Sequence, residues 1–378
     1  MKTFERLYRS GQSLWLDNIT RELLTSGTLE RYVREGWVTG LTSNPTIFDH
    51  AMRHGSAYDE AIRAARLAPG QSAERLFFDL ALEDLGRAAD LFREVHERTS
   101  GVDGWVSLEV SPLLARDAST TLAEAKDLHA RAARKNLFIK IPGTREGLPA
   151  IEEATFAGVP INVTLLFSTA QYLAAALAYL RGVERRIEAG LNPNVGSVAS
   201  LFISRWDVAV AGKVPAGLSN TLGIAIARST YRAYVELLAS ARWRRAFNAG
   251  ARPQRLLFAS TGTKDPKAPD TLYVNALQAP FTVDTVPENT LKAFADHGEV
   301  GGDDWSIDIA DSERVFAQFT AAGIDLEALG RKLQDDGATA FVASWNDLLA
   351  VIAAKSASLQ PQRSTPHPDT RARMEGTH

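Results

Sequence analysis

The chain has 378 residues with 42 basic and 45 acidic side chains, a formal charge of −3, a hydrophobic fraction of 45% and 23% charged residues. So even a balance offers no electrostatic basis for nucleic acid or an anionic membrane as partner, and the composition excludes pervasive disorder. The chain contains no cysteine, so disulfides, thiolate metal sites and a cysteine nucleophile are excluded together, leaving Lys, Asp, Glu, Ser, Thr, Tyr and His to carry any chemistry.

Such a length admits two or three small domains or one large α/β barrel. Met1–Arg6 lacks the apolar stretch of a signal peptide, and no later window approaches ~18 uncharged apolar residues, which predicts a soluble cytoplasmic protein. The sequons Asn18-Ile19-Thr20 and Asn162-Val163-Thr164 are then chance matches.

Short apolar runs alternate with long helical patterns, the mark of βα units around a parallel sheet. The first candidate strand, Ser13–Asn18, ends on Asp17 and Asn18, and the second, Val38–Ser43, runs into Asn44-Pro45. A long insertion follows, with a loop near Ala68-Pro69-Gly70 and an amphipathic helix from about Ser72 to Val95. The third strand, Trp105–Val110, contains Glu109, and Thr121 with Glu124 makes a capping-box pattern after it. The fourth, Leu137–Ile141, is apolar except for Lys140. The fifth, Ile161–Leu166, carries Asn162 and Thr164, and Ser168 with Gln171 repeats the capping box. The sixth, Ser197–Ile203, carries Ser200 and Phe202; Arg255–Ser260 and Phe281–Val286 complete the set. Eight such units predict a single (β/α)8 TIM barrel over residues 1–355. Gly301-Gly302-Asp303-Asp304 reads as a solvated surface turn, and the proline-bearing stretch 356–378 as a disordered tail.

Neither Gly-x-Gly-x-x-Gly nor Gly-x-x-x-x-Gly-Lys-Ser/Thr occurs, so no phosphate cradle of those types is present. His50 and His54 stand at i,i+4 beside Asp49 but belong to no His-Glu-x-x-His, and they read as helix surface, not as a metal site.

Lys140 is the residue that asks for an explanation. The chain has only ten lysines, and this one interrupts Leu137-Phe138-Ile139-Lys140-Ile141-Pro142. A lysine near a strand end can snorkel to water. Partial burial would instead lower its pKa and supply the free amine that attacks a ketone, at the barrel end where catalytic groups collect. Asp17, Asn44, Glu109, Asn162 and Thr164 occupy corresponding ends of other strands. Taken singly, Asp17 reads as a helix cap, Asn44 as a turn residue and Glu109 as a salt-bridged edge residue. Converging on Lys140, two carboxylates would share acid and base work.

The segments Gly40-Leu41-Thr42-Ser43-Asn44-Pro45-Thr46 and Ile139-Lys140-Ile141-Pro142-Gly143-Thr144-Arg145-Glu146-Gly147 resemble the two signatures of transaldolase. The resemblance extends through Leu16-Asp17-Asn18, Ser107–Pro112, Asn162–Leu165 and Ser260–Lys264, about residues 10 to 350, and is nearest the bacterial subgroup with a long insertion between the second and third strands. It implies a Schiff-base Lys140, Asp17 as acid/base for carbon–carbon cleavage, Glu109 and Thr164 positioning water, and Asn44, Asn162 and Ser200 holding dihydroxyacetone hydroxyls. Arg205 takes the place of the family's phosphate-binding arginine, with a surface salt bridge to Asp207 as the alternative. Where better-known members have a second arginine this chain reads Ser260-Thr261-Gly262-Thr263-Lys264, so Lys264 and Ser260 are assigned that role. The implied activity moves a dihydroxyacetone unit between phosphorylated sugars without cofactor or metal. A fructose-6-phosphate aldolase-like lyase is the nearest alternative; Phe202, expected to face the mouth, argues against it by leaving an attacking water fewer partners. A non-catalytic sugar-phosphate-binding barrel is the alternative of another class. Oligomeric state is not legible.

Overall fold

A parallel sheet must hide both faces from water, and eight strands do so here by closing on themselves inside a ring of helices. The computed structural model describes residues 3–65, 72–301 and 309–359. Strands β1 Ser13–Asp17, β2 Gly40–Thr42, β3 Val106–Glu109, β4 Leu137–Pro142, β5 Ile161–Leu166, β6 Ser197–Phe202, β7 Gln254–Ala259 and β8 Val283–Val286 pair in chain order, all parallel, and β8 closes on β1. Each predicted strand lies within two residues of its observed bounds.

The period of two sorts the chemistry. Trp15, Ser107, Phe138, Asn162 and Val198 each precede by two residues a group at the carboxyl end, namely Asp17, Glu109, Lys140, Thr164 and Ser200. Register does the rest: Glu109 pairs with Lys140, and Lys140 with Asn162, so the amine has a carboxylate strand on one side and an amide strand on the other. The β5–β6 register shifts between Val163 and Leu166, and Leu165 adopts a left-handed φ of 59°, the kind of bulge that re-aims side chains beside a site. At Gly40 a Cβ would stand 2.6 Å from the Trp15 ring, so β1 and β2 approach this closely only because position 40 has no side chain.

The Ser168–Gln171 capping box opens helix Thr169–Glu188 as expected. The Thr121–Glu124 box does not form. That helix, Ala118–Ala132, begins earlier, where the Asp117 carboxylate accepts from Ser119 N and Thr120 N. Thr121 Oγ1 donates to Leu114 O at 2.9 Å, and Glu124 accepts from Ser111 N at 2.6 Å, just past β3. Burial pushes the Glu124 carboxyl up to about 7. Asp117, four residues upstream of Thr121, offers the same kind of cap and leaves the Thr–Glu pair free for tertiary contacts.

The insertion between β2 and β3 comprises helices Pro45–His54, Asp59–Ala65, Ala73–Leu91 and Arg93–Arg98 among the described residues. Arg21, after β1, pins it by donating to Asp84 at 2.9 Å and Glu83 at 2.8 Å. The terminal helix runs Leu326–Ser358, three residues beyond the predicted barrel boundary; residues 360–378, the rest of the predicted tail, lie outside the described residues, as do positions 302–304 of the predicted surface turn. By length and mean hydropathy of 1.4 over its most apolar window this helix could cross a membrane, which corrects the expectation that no window comes close. Its large side chains face the protein instead: Phe341, Trp345, Leu348 and Ile352 are buried at helical spacing, and Trp345 packs against Phe77 and Phe78 of the insertion at 4.9 and 5.5 Å.

Trp345→Ala should therefore unclamp two elements at once. Its expected cost is ~3–5 kcal/mol, read as a lowered urea midpoint. A loss below ~1 kcal/mol would mean that the terminal helix is not held through this residue.

Candidate active site

At the carboxyl ends of the strands lies a cavity of about 480 Å³ whose lining includes Asp17, Asn44, Lys140, Thr164, Ser200, Phe202, Arg205, Ser260 and Lys264. Glu109 and Asn162, the other predicted site residues, sit buried in its floor. All eleven thus converge on one end of the barrel.

Lys140 does not snorkel. It is 5% exposed, and its Nζ donates to Ser43 O at 2.9 Å while standing 3.0 Å from Glu109 Oε2. Glu109 is an interior partner, not an edge residue, and its Oε1 lacks a hydrogen-bond partner among the described residues. Burial raises the Glu109 carboxyl above its ordinary value against the attraction of Lys140, with Asp17 adding to the rise. Asp17 is raised as well, again by burial, with Lys140 and the Thr42 hydroxyl opposing. Both carboxyls therefore hold a proton more readily than exposed ones would.

Thr42 Oγ1 donates to Asp17 Oδ1 at 2.8 Å and lies 2.7 Å from Thr285 Oγ1. Since Thr42 has one proton and gives it to Asp17, Thr285 must donate to Thr42. Asp17 is not a helix cap; Thr20 caps the following helix. Asn44 is both things at once: it caps Pro45–His54 by accepting from Ile47 N at 3.1 Å and lines the cavity. Asn162 spans the floor, donating to Ser107 Oγ at 3.2 Å and accepting from Ser200 Oγ at 2.7 Å. The buried Thr164 Oγ1 has no partner among the described residues.

Arg205 forms no bridge with Asp207 and no ion pair with any described residue; Asp207 instead accepts from Leu222 N, Gly223 N and Tyr273 Oη. The guanidinium stacks over Phe202 at 5.3 Å and Phe341 at 6.0 Å, and burial lowers its pKa. A half-desolvated cation without a counter-charge suits an anion. Lys264 and Ser260 line the same cavity, the latter at a left-handed φ of 57° with its hydroxyl 2.9 Å from the Oγ of Ser204, the neighbour of Arg205. Phe202 faces the mouth as expected, backed by Phe167 at 5.3 Å.

Several residues at this end escaped the sequence reading. Thr42 and Thr285 reach the site through cross-strand pairing, and Phe341 through the terminal helix. His50, read as helix surface, is exposed on that surface and also lines the rim; no metal-ligating cluster occurs among the described residues. Asp284, whose place in the last strand carried no signal, is fully buried behind Thr285 and accepts from Thr261 Oγ1 at 2.8 Å.

The family described as "Transaldolase/Fructose-6-phosphate aldolase" matches residues 14–352. Among curated proteins, the transaldolase of Thermobifida fusca is 43% identical over 362 residues, covering 94% of this chain and 98% of that protein. Those of Frankia alni and Saccharopolyspora erythraea are 42% and 43% identical, each over 92% of this chain and over 95% and 96% of their own lengths.

Asp284 supplies a test of the electrostatics. Burial holds its carboxyl at about 7, against 3.8 ordinarily. The native state thus keeps a proton the unfolded chain has released, so this group makes stability fall as pH rises from about 4 to about 7. Asp284→Asn removes that slope, and its stability relative to wild type should improve by roughly 2–3 kcal/mol between pH 5 and pH 8 in urea titrations. A gap independent of pH would show that Asp284 ionises as an exposed carboxyl does.

Proposed function

The chain belongs to the transaldolase/fructose-6-phosphate aldolase family and acts as a transaldolase, and we propose that its barrel mouth transfers dihydroxyacetone from sedoheptulose 7-phosphate to glyceraldehyde 3-phosphate through a Schiff base on Lys140. The observation that carries this reading is the buried amine 3.0 Å from Glu109, with a second raised carboxyl, Asp17, in the same mouth.

The Lys140 amine adds to the ketose carbonyl, and water leaves to give a protonated imine. Glu109 and Thr164 handle that water: among the described residues Glu109 Oε1 and the Thr164 hydroxyl are buried without a hydrogen-bond partner, so each can take one from the water. Asp17 takes the proton from the hydroxyl on the carbon that becomes the departing aldehyde, while the electrons of the breaking carbon–carbon bond pass into the imine. Erythrose 4-phosphate leaves; glyceraldehyde 3-phosphate enters and the steps reverse, Asp17 returning the proton and hydrolysis releasing fructose 6-phosphate. Thr285 and Thr42, donating in series, hold Asp17 in place. Asn44, Asn162 and Ser200 contact the retained hydroxyls, and Arg205, Lys264 and Ser260 hold the phosphate. The reading needs no cofactor and puts the enzyme in the cytoplasm with its phosphorylated substrates.

The family also includes lyases that release free dihydroxyacetone. Phe202 favours transfer, because an apolar ring there offers an attacking water no partner and lets the intermediate wait for an aldose. Turnover that does not depend on an acceptor aldose would reverse this choice.

Lys140→Met keeps length and apolarity while deleting the amine, so borohydride trapping with fructose 6-phosphate, read by intact mass, should vanish. A trapped adduct in that variant would remove Lys140 from the chemistry. Asp17→Asn should still trap an imine but fail to cleave it, whereas Glu109→Gln should slow imine formation itself; single-turnover traces distinguish the two, and identical defects would refute the division.

Arg205→Ala should raise KM for phosphorylated substrates by an equivalent of ~1.5–3 kcal/mol, roughly ten- to hundred-fold, while sparing unphosphorylated dihydroxyacetone donors. Equal losses on both substrate types would place Arg205 outside the phosphate site.

A further inference from the structure

The barrel has a second cavity. It lies at the amino ends of the strands, holds about 500 Å³, and is lined by Trp105, Phe138, Tyr234 and Phe281 together with Arg252 and Arg255. Phe138 and Val198 touch it, while Lys140 and Ser200, two residues further along the same strands, line the mouth. The two cavities therefore open toward opposite ends of the same strands.

Its walls are apolar and stiff. Trp105 and Phe138 stack at 3.9 Å and 11°, presenting aromatic surface to the cavity. At the lip Phe281 is 72% exposed on a backbone with left-handed φ of 61°. That conformation is costly for a bulky residue, and it is held by Phe281 N donating to Gly11 O at 2.9 Å and Tyr234 Oη donating to Phe281 O at 3.1 Å. A large ring pinned outward beside an apolar cavity has no role in the barrel's own packing.

The polar groups share one sign of charge at the rim. Arg252 donates to Asn194 Oδ1 and Ser100 O; Arg255 donates to Val102 O at 3.1 Å, Ser13 Oγ at 2.8 Å and Thr282 O at 2.7 Å. Neither pairs with a carboxylate among the described residues. Asp103, the acid at this cavity, is buried and accepts from Ser13 Oγ and from Trp15 Nε1 at 2.7 Å, so it reaches Arg255 only through a hydroxyl. Arg252 has no such relay. Two half-buried guanidiniums on neutral acceptors at the edge of an aromatic-walled pocket of ligand size call for an anion joined to a flat apolar body.

We propose that this cavity binds a small planar aromatic molecule carrying one acidic group, its ring against Trp105, Phe138 and Phe281 and its anion on Arg252 and Arg255. Transaldolase chemistry does not use these residues, so the proposal stands or falls apart from that reading.

The probe is 8-anilinonaphthalene-1-sulfonate, titrated by fluorescence into the full chain, with the neutral N-phenyl-1-naphthylamine as control. The sulfonate should saturate at one site per chain and bind more tightly than the neutral analogue. Arg252→Gln should weaken the sulfonate at least fivefold and leave the neutral analogue unchanged. Leu238→Trp, which fills the cavity from helix Leu222–Ala239, should abolish both. Sulfonate binding that survives both substitutions, or that fructose 6-phosphate displaces, overturns the proposal by placing the probe elsewhere. Binding that falls as the chain self-associates in sedimentation equilibrium overturns it too, because the apolar lip would then be covered by a second copy.

Discussion

Lys140 and Glu109 meet 3.0 Å apart where both side chains are almost wholly hidden from water, and the arrangement of the barrel mouth follows from the cost of holding them there. Removing an amine and a carboxylate from water costs several kcal/mol per ion, which mutual attraction offsets only with good geometry and further hydrogen bonds. Ser43 O supplies one such bond to the amine. Nothing equivalent serves Glu109 Oε1, and for Glu109 and Asp17 alike burial outweighs the pull of Lys140. The site is thus under-satisfied at the oxygens where a reaction must later move protons and water. A surface lysine beside a surface glutamate would be more stable and chemically inert.

Keeping such a layer in register requires reinforcement from outside the barrel. The β5–β6 register shift leaves Leu165 in a left-handed conformation just past Thr164, and the terminal helix ties this segment to the end of β4: Gln334 Nε2 donates to Leu165 O at 2.9 Å and Gly143 O at 3.1 Å. The same helix passes Arg205 closely, since a Cβ on Gly337 would stand 3.3 Å from its guanidinium and 3.1 Å from Leu165. One turn on, Phe341 supplies an aromatic face to that cation. The insertion then braces the helix through Phe77, Phe78 and Trp345, and Arg21 ties the insertion back to the exit of β1, just beyond Asp17. Strain at the site is borne by a chain of contacts that returns to the site.

The barrel's alternation also separates its two ends chemically. Along β4, Phe138 belongs to an aromatic floor and Lys140 to a polar mouth; along β6, Val198 and Ser200 divide in the same way. Two residues of strand are ~7 Å, so one strand presents two environments to two cavities.

Much of this was legible in the chain itself. Parallel strands buried on both faces must be continuous apolar runs, so the eight segments stood out and a lysine inside Leu137–Ile141 stood out within them. Period two then brought Asp17, Glu109, Asn162, Thr164 and Ser200 to the same end as Lys140, because in a closed parallel barrel every strand points the same way. Interactions between residues far apart in sequence were not legible. Thr42 meets Thr285 across 243 positions and Gln334 meets Leu165 across 169, while Arg205 finds Phe341 rather than nearby Asp207. Local spacing likewise favoured Thr121 as a cap, yet Asp117 took the role and Glu124 turned to Ser111. The sequence by itself determined which residues face inward at which end, since that depends on backbone period and burial alone. Which partners those residues take, and at what cost in strain and desolvation, only the tertiary structure decided, because closure and the terminal helix bring together groups with no sequence relation.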